Sequence, residues 1–265
     1  MEVFPRDYDD LVRQAQDAVQ TCVEDGNTLL EVEFPTASLH SVPGDGEGAN
    51  EMSWSMDYLR RFCRMYENQG QAENVRIFFP DQKELALAVR GADGGSGIPR
   101  FANTPFRMDF LTKPTGLMDL GIDIGKVAVA DRAKDTDEAF LIAYPSFNVN
   151  EMISVEELWQ GAVKGTDRPI IVFNGELDRI RSGYYPSLFY PKIGKLGKNF
   201  LPLFTQAYYI HNFKGSRPGA LFRCYPGPWQ ILRRHPVDFE DVEVIETREE
   251  MPTLKEVQLD VLSKY

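Results

Sequence analysis

The stretch that most restricts the fold runs from Gly219 to Arg234, where apolar runs flank Tyr225-Pro226-Gly227-Pro228-Trp229. Proline fixes φ and has no N–H to donate, so two prolines around one glycine exclude a helix here. Leu221–Tyr225 and Gln230–Leu232 then read as short strands on either side of a Pro-Gly-Pro turn. The same region holds the chain's positive charge. Between Glu176 and His235, ten Lys and Arg (Arg179, Arg181, Lys192, Lys195, Lys198, Lys214, Arg217, Arg223, Arg233, Arg234) face only Glu176 and Asp178, a balance of +8 against −19 for the remaining chain. Such polarity creates a directional field, which governs encounter with partners rather than fold.

Upstream the hydrophobic period alternates between helical and extended. Tyr8, Leu11, Val12, Ala15, Val19 and Cys22 recur at helical spacing, with Asp7 as N-cap and Gly26 as stop. Leu30, Val32 and Phe34 alternate with Glu31 and Glu33 before Pro35, a half-buried strand. Met52, Met56, Leu59, Phe62, Cys63 and Tyr66 mark a second amphipathic helix. Val75–Phe79 is a strand closed by Pro80-Asp81, followed by a short helix over Gln82–Val89. Strands are predicted at Phe106–Leu111, Lys126–Ala130, Ala139–Tyr144 and Pro169–Asn174, with a helix over Ser154–Val163 capped by Ser154 and Glu157. Beyond Tyr184 the chain is aromatic and basic, with a helix near Gly197–Phe204 and a strand at Tyr208–Ile210. The acidic tail 236–265 is read as strand and helix, with Leu254, Val257 and Val261 inward.

Helices alternating with apolar strands predict an α/β fold: a mainly parallel, mixed sheet with helices on both faces, three-layer and Rossmann-like, with a C-terminal antiparallel addition. We expect one domain over 1–265, made of an acidic βα portion (1–175), a basic aromatic-rich portion (176–235) and an acidic C-terminal portion (236–265). A content of 43% hydrophobic and 26% charged residues excludes a disordered chain. No apolar run reaches the roughly 18–20 residues that span a bilayer. A net charge of −11 argues against nucleic acid as partner. In open α/β sheets ligands sit at the carboxyl ends of the strands, which points to Asp81, Asp131, Ser146 and Asn174 as crevice residues.

Standard catalytic and cofactor motifs are missing, and no cofactor or metal is expected. Gly121-Ile122-Asp123-Ile124-Gly125-Lys126 has Leu120 where a phosphate loop needs its first glycine, and Val127 where it needs Ser or Thr. Gly44–Gly48 carries acids that would repel pyrophosphate, and Gly91–Gly97 follows a helix rather than a strand. His40, His211 and His235 stand alone, and Asp119, Asp123 and Asp131 lack a calcium-loop pattern. Cys22, Cys63 and Cys224 are too few and too widely spaced for a disulfide framework. Cys224, among apolar neighbours, reads as an inert thiol.

Two clusters keep a functional reading beside a structural one. Asn174-Gly175-Glu176-Leu177-Asp178-Arg179-Ile180-Arg181 is either a tight turn at Asn174-Gly175 stapled by Glu176, Asp178, Arg179 and Arg181, or a ligand- or partner-facing loop. In the second, Trp229 either plugs the core or anchors a docking surface with Tyr225 and Pro226. In the docking reading Arg223, Arg233 and Arg234 form the rim.

Phe173–Asp178, Tyr208-Tyr209-Ile210 and Gly219–Gln230, with Pro5-Arg6-Asp7-Tyr8 and Leu30–Pro35, resemble an uncharacterised domain family of plants, algae and cyanobacteria. That family includes the chloroplast protein Low PSII Accumulation 3. The resemblance spans nearly the whole chain, and its most distinctive element is Tyr225–Trp229. It implies a non-catalytic auxiliary factor of the chloroplast stroma, loosely associated with thylakoids. Such a factor would assist photosystem II assembly through the CP43 subunit or other assembly factors. It supplies no catalytic residues. Met1–Pro5 has neither signal- nor transit-peptide character, so a plastid address is expected outside this chain, and a cyanobacterial cytoplasm fits equally. Two alternatives stand beside docking. One is an enzyme or binder of a nucleotide- or sugar-like ligand at the sheet's carboxyl ends. The other is a peripheral anionic-lipid binder using Lys192, Lys195 and Lys198.

Overall fold

The computed structural model describes residues 2–42, 48–91, 98–112, 128–146, 148–186, 188–235 and 241–264. The glycine-rich stretches 43–47, 92–97 and 119–126 therefore lie outside the described residues. Strands are β1 (Leu29–Glu33), β2 (Val75–Asp81), β3 (Arg107–Thr112), β4 (Ala139–Ala143), β5 (Ile170–Phe173), β6 (Thr205–Phe213), β7 (Gly219–Cys224), β8 (Trp229–Arg234) and β9 (Val242–Arg248). Helices are α1 (Tyr8–Glu24), α2 (Gly48–Phe62), α3 (Arg64–Asn68), α4 (Gln82–Arg90), α5 (Val129–Arg132), α6 (Val149–Leu158), α7 (Asp178–Arg181), α8 (Pro191–Asn199) and α9 (Leu254–Glu256).

The fold is α/β, mainly parallel with a C-terminal antiparallel part, and the chain divides into two compact units. Cys63–Phe204 forms an inserted unit, and Met1–Phe62 with Thr205–Tyr265 forms a split unit. The sequence-based boundaries near 175 and 235 fall inside these units. The basic portion 176–235 is thus shared: 176–204 belongs to the inserted unit and 205–235 to the split unit.

In the inserted unit four parallel strands follow the order β3-β2-β4-β5. Phe140-Leu141-Ile142-Ala143 and Ile170-Ile171-Val172-Phe173 are buried along their whole length, as continuous apolar runs in parallel sheets are. From β2 the chain crosses through α4 to β3 on one side, and from β4 it crosses through α6 to β5 on the other. The order therefore reverses between β2 and β4, where open α/β sheets place ligands. At the opposite, amino end, buried Asp137 accepts from Arg76 (2.6 Å), Arg107 (2.7 Å) and the Lys134 N–H (2.7 Å).

In the split unit β1 pairs parallel with β6, and β6, β7, β8 and β9 continue antiparallel. Asp7 caps α1 by accepting the Asp10 N–H at 2.8 Å, and Leu11, Ala15, Ala18, Val19 and Cys22 line its buried face. On one face of the antiparallel strands, Tyr209, Leu221, Trp229 and Ile231 pack with Val257, Val261 and Leu262 from the tail. Gly219 is required there: a Cβ would lie 2.4 Å from the Leu232 carbonyl oxygen and 2.6 Å from a Leu262 methyl. Strand β9, with Glu243, Glu246 and Arg248, has the charged character of a protected edge.

Three local expectations are corrected. The strand placed at Lys126–Ala130 is absent among the described residues, where Val129–Arg132 is helical. Asn148, not Ser154, caps the helix after β4: its extended backbone lets its side chain accept the Asn150 N–H at 2.9 Å. Helix α8 begins at Pro191 and ends at Asn199, because Pro202 falls in a separate 3₁₀ turn over Leu201–Leu203.

Candidate functional site

The carboxyl edge of the parallel sheet gathers most of the predicted crevice residues but not all. Asp81 ends β2 and is occupied as the N-cap of α4, accepting from the Lys83 and Glu84 N–H groups at 2.8 and 2.9 Å. Ser146 follows β4, half-buried, its N–H on the Tyr144 carbonyl at 2.8 Å. Asn174 follows β5 and is buried. Asp131 does not belong to the edge. It is exposed on four-residue α5, ahead of β4, because the strand expected to end there is not formed.

This edge is strained. Of the four non-glycine residues with positive φ among the described residues, Tyr144 (φ 32°), Asn174 (φ 51°) and Glu176 (φ 48°) lie here. Such conformations cost of order 1–3 kcal/mol each and persist only where the surroundings enforce them. The expected turn exists, but its second positive φ is at Glu176 rather than Gly175. Gly175 is needed for space instead: a Cβ would sit 2.6 Å from Val172 Cγ1. The loop is stapled as the pairing reading anticipates, Arg179 to Glu176 at 2.5 Å and Arg181 to Asp178 at 3.2 Å.

Sequence reading missed Glu84 and Tyr144. Buried Tyr144 donates to Glu84 Oε2 at 3.4 Å. Burial, reinforced by the Asp81 carboxylate, raises the Glu84 carboxyl above its ordinary range. Burial, with Glu84 alongside, raises the Tyr144 hydroxyl well above its own. The available signal was the spacing of Glu84 and Ala88, which share the buried face of α4. The pair can hold a proton and hydrogen-bond a neutral ligand.

The Tyr-Pro-Gly-Pro-Trp element is mostly inward. Trp229 is fully buried, 5.3 Å from the Tyr209 ring, which corrects its assignment as a docking anchor. Arg234 is also buried and is no rim residue: it donates to the Leu39 carbonyl (3.0 Å) and the Asn212 side-chain oxygen (2.9 Å) and lies over the Phe4 ring. Burial pushes it down to about 10. Arg223 is half-buried against the Tyr225 and Trp229 rings at 5.6 and 5.3 Å, and its Nε is buried with no hydrogen-bond partner among the described residues. Tyr225 donates to Asp25 at 2.8 Å, Arg233 pairs with Glu243 at 2.6 Å, and Pro226 is exposed. Cys224 and Cys22 are buried, and burial pushes both thiols up to about 12.

The outward aromatic surface is elsewhere, in the inserted unit. Tyr184, Leu188 and Phe189 are 73%, 84% and 75% exposed, with Tyr190 and Leu203 also exposed. The Tyr185 ring meets those of Tyr184 (5.2 Å) and Tyr190 (5.5 Å), so these three tyrosines form a continuous cluster. Helix α8 buries Ile193 and Leu196 and turns Lys192, Lys195 and Lys198 outward. No Asp or Glu occurs between Arg179 and His235, so the segment itself carries only positive charge.

A family model described as a domain of unknown function, DUF1995, matches residues 5–259. The chain belongs to the DUF1995 family. No curated protein and no solved structure matches it. Membership in DUF1995 accounts for the breadth of the resemblance, from the Asp7 cap to the tail helix. Among the described residues, no group of three His, Cys, Asp or Glu is arranged to hold a metal ion, and no helix is long and apolar enough to cross a membrane.

Proposed function

We propose that this DUF1995 protein is a non-catalytic docking factor that assists photosystem II assembly on the stromal side of the thylakoid. In this reading it is a relative of Low PSII Accumulation 3, acting on the CP43 core subunit or on another assembly factor. The observation that carries the reading is the exposed Tyr184–Tyr190 cluster beside Lys192, Lys195 and Lys198. Aromatic side chains rimmed by cations are the composition that anchors protein interfaces, and large apolar groups left in water are stabilised by a partner that covers them. The docking surface therefore moves from the Tyr225–Trp229 element to the 184–203 segment. Localisation in the chloroplast stroma, with peripheral thylakoid contact, follows from the same reading.

Pull-down from solubilised thylakoids tests it, comparing the wild-type chain with a folded Leu188→Ser/Phe189→Ser variant. The expected result is recovery of CP43 or its assembly partners by wild type and loss by the variant. Equal recovery by both removes the surface from consideration. Retention by lipid vesicles alone, abolished by salt, would favour the anionic-lipid reading.

A second reading has its own support. The strained Tyr144, Asn174 and Glu176 and the Glu84–Tyr144 pair stand where α/β sheets bind ligands, which supports an enzyme or binder of a nucleotide- or sugar-like ligand there.

A further inference from the structure

The exposed side chains between Tyr184 and Lys198 follow a fixed order, apolar first and cationic after. Tyr184, Tyr185 and Tyr190 meet through their rings, and Leu188 and Phe189, between them in the chain, are exposed. Helix α8 starts at the next residue, Pro191, and buries Ile193 and Leu196, which turns Lys192, Lys195 and Lys198 to solvent. At 1.5 Å of rise per residue the lysines run roughly 9 Å along the helix, away from Tyr190. The result is a strip with an apolar end and a cationic end.

The cations of the strip have no internal partner. Lys192, Lys195 and Lys198 form no ion pair or side-chain hydrogen bond among the described residues. Helices α6 and α7 pack on α8, and their acids are Glu151, Glu156, Glu157 and Asp178. Glu151 is buried, Glu156 accepts from Gln160 at 3.2 Å, and Asp178 pairs with Arg181 at 3.2 Å. Glu157 is exposed but pairs with none of the three lysines. On the other flank of the aromatics in the chain, Arg179 is engaged by Glu176 at 2.5 Å. The unpaired cations thus lie on one flank only. An anionic bilayer presents charge in every direction around an inserted wedge and would suit cations on both flanks. A linear segment, with its own apolar and charged ends, suits the one-sided arrangement.

Building on the docking reading, we propose that the strip receives a linear acidic segment of a partner protein. Its apolar side chains cover Leu188, Phe189 and the tyrosines, and its carboxylates lie along Lys192, Lys195 and Lys198. An exposed ion pair contributes little alone, so the apolar end supplies most of the affinity and the lysines supply orientation and selectivity.

Fluorescence anisotropy on the full chain tests this with synthetic peptides. The first joins a Leu- and Phe-rich block to a Glu-rich block, the second has Gln for Glu, and the third interleaves the two blocks. Saturable binding of the first, weakened about tenfold in the other two, is the expected result. Lys192→Gln/Lys195→Gln/Lys198→Gln should weaken the first peptide about tenfold and leave the Gln peptide unchanged, a contrast that loss of folding would not produce. The same triple variant separates the acidic partner from docking itself in the thylakoid pull-down. Recovery lost in this variant as well as in Leu188→Ser/Phe189→Ser supports the proposal. Recovery lost in the serine variant but kept in the glutamine variant overturns the acidic partner and leaves the docking face standing. Equal binding of the Glu and Gln peptides, or binding only to phosphatidylglycerol vesicles, also overturns it.

Discussion

The two ends of the parallel sheet both bury carboxylates, yet they handle them in opposite ways. At the amino end, burial alone would raise Asp137, but hydrogen bonds from Arg76, the Lys134 N–H and Arg107 outweigh it and hold the carboxyl below its ordinary range. At the carboxyl end, burial and the nearby Asp81 carboxylate outweigh the hydrogen bond from Tyr144 and raise Glu84, and the backbone beside it is strained at Tyr144, Asn174 and Glu176. Ion pairing at one end and strain at the other separate a structural role from an available one. The amino end is thus secured by ion pairs, whereas the carboxyl end holds backbone conformations that persist only because the surroundings enforce them.

The strongest way to break the comparison is Asp137→Ala. It leaves the Arg76 and Arg107 guanidiniums without their shared carboxylate, and removing one partner of a buried pair costs about 3–5 kcal/mol. Urea unfolding of the full chain measures this, and a loss below about 1 kcal/mol would mean the network is not what secures that end. Gly175→Ala probes the other end. Its Cβ would press on Val172, and overpacking of this kind costs about 1–3 kcal/mol; a neutral result would show that the turn after β5 yields freely.

The smallest effect is the most discriminating. Asp137 contributes stability that is present above its ordinary value and lost as pH falls through its lowered one. Glu84 has the opposite sign: its contribution is full below its ordinary 4.5 and declines as pH rises through its raised value. Glu84→Gln should therefore gain stability relative to wild type as pH climbs from about 4 to neutrality. A pH-independent difference between the two proteins would erase the contrast between the ends.

Much of the architecture was legible because it is written in local periodicity. The α1 stripe, the Gln82 helix and the apolar runs of β2, β4 and β5 declare themselves within single contiguous windows of sequence. Strand β9 was only broadly legible, since its alternation is diluted by Glu243, Glu246 and Arg248 at an edge. Lys126–Ala130 shows the opposite failure: a short apolar run does not say whether it is strand or helix until its neighbours are placed. Site residues follow the same division. Asp81, Ser146 and Asn174 could be found because they follow strands. Glu84 meets Tyr144 across sixty positions of sequence, and no local pattern reports that. Trp229 shows why composition alone misassigns an aromatic. An anchor residue and a core residue have the same side chain, and the distinction lies in the tail segment Val257–Leu262 that covers it.

That covering segment has a consequence for how the protein is made. The β1 strand emerges early, but its parallel partner β6 follows only after the whole inserted unit. Cys63–Phe204 is contiguous and can close around its own sheet while the chain is still being translated. The split unit must wait, its Tyr209–Leu221–Trp229–Ile231 face bare until Val257–Leu262 leave the ribosome. The interval of greatest exposure to misassembly therefore opens as β6–β8 are made and closes only when Val257–Leu262 arrive, and a ribosome stalled before them would present the cell with one finished half and one open apolar sheet.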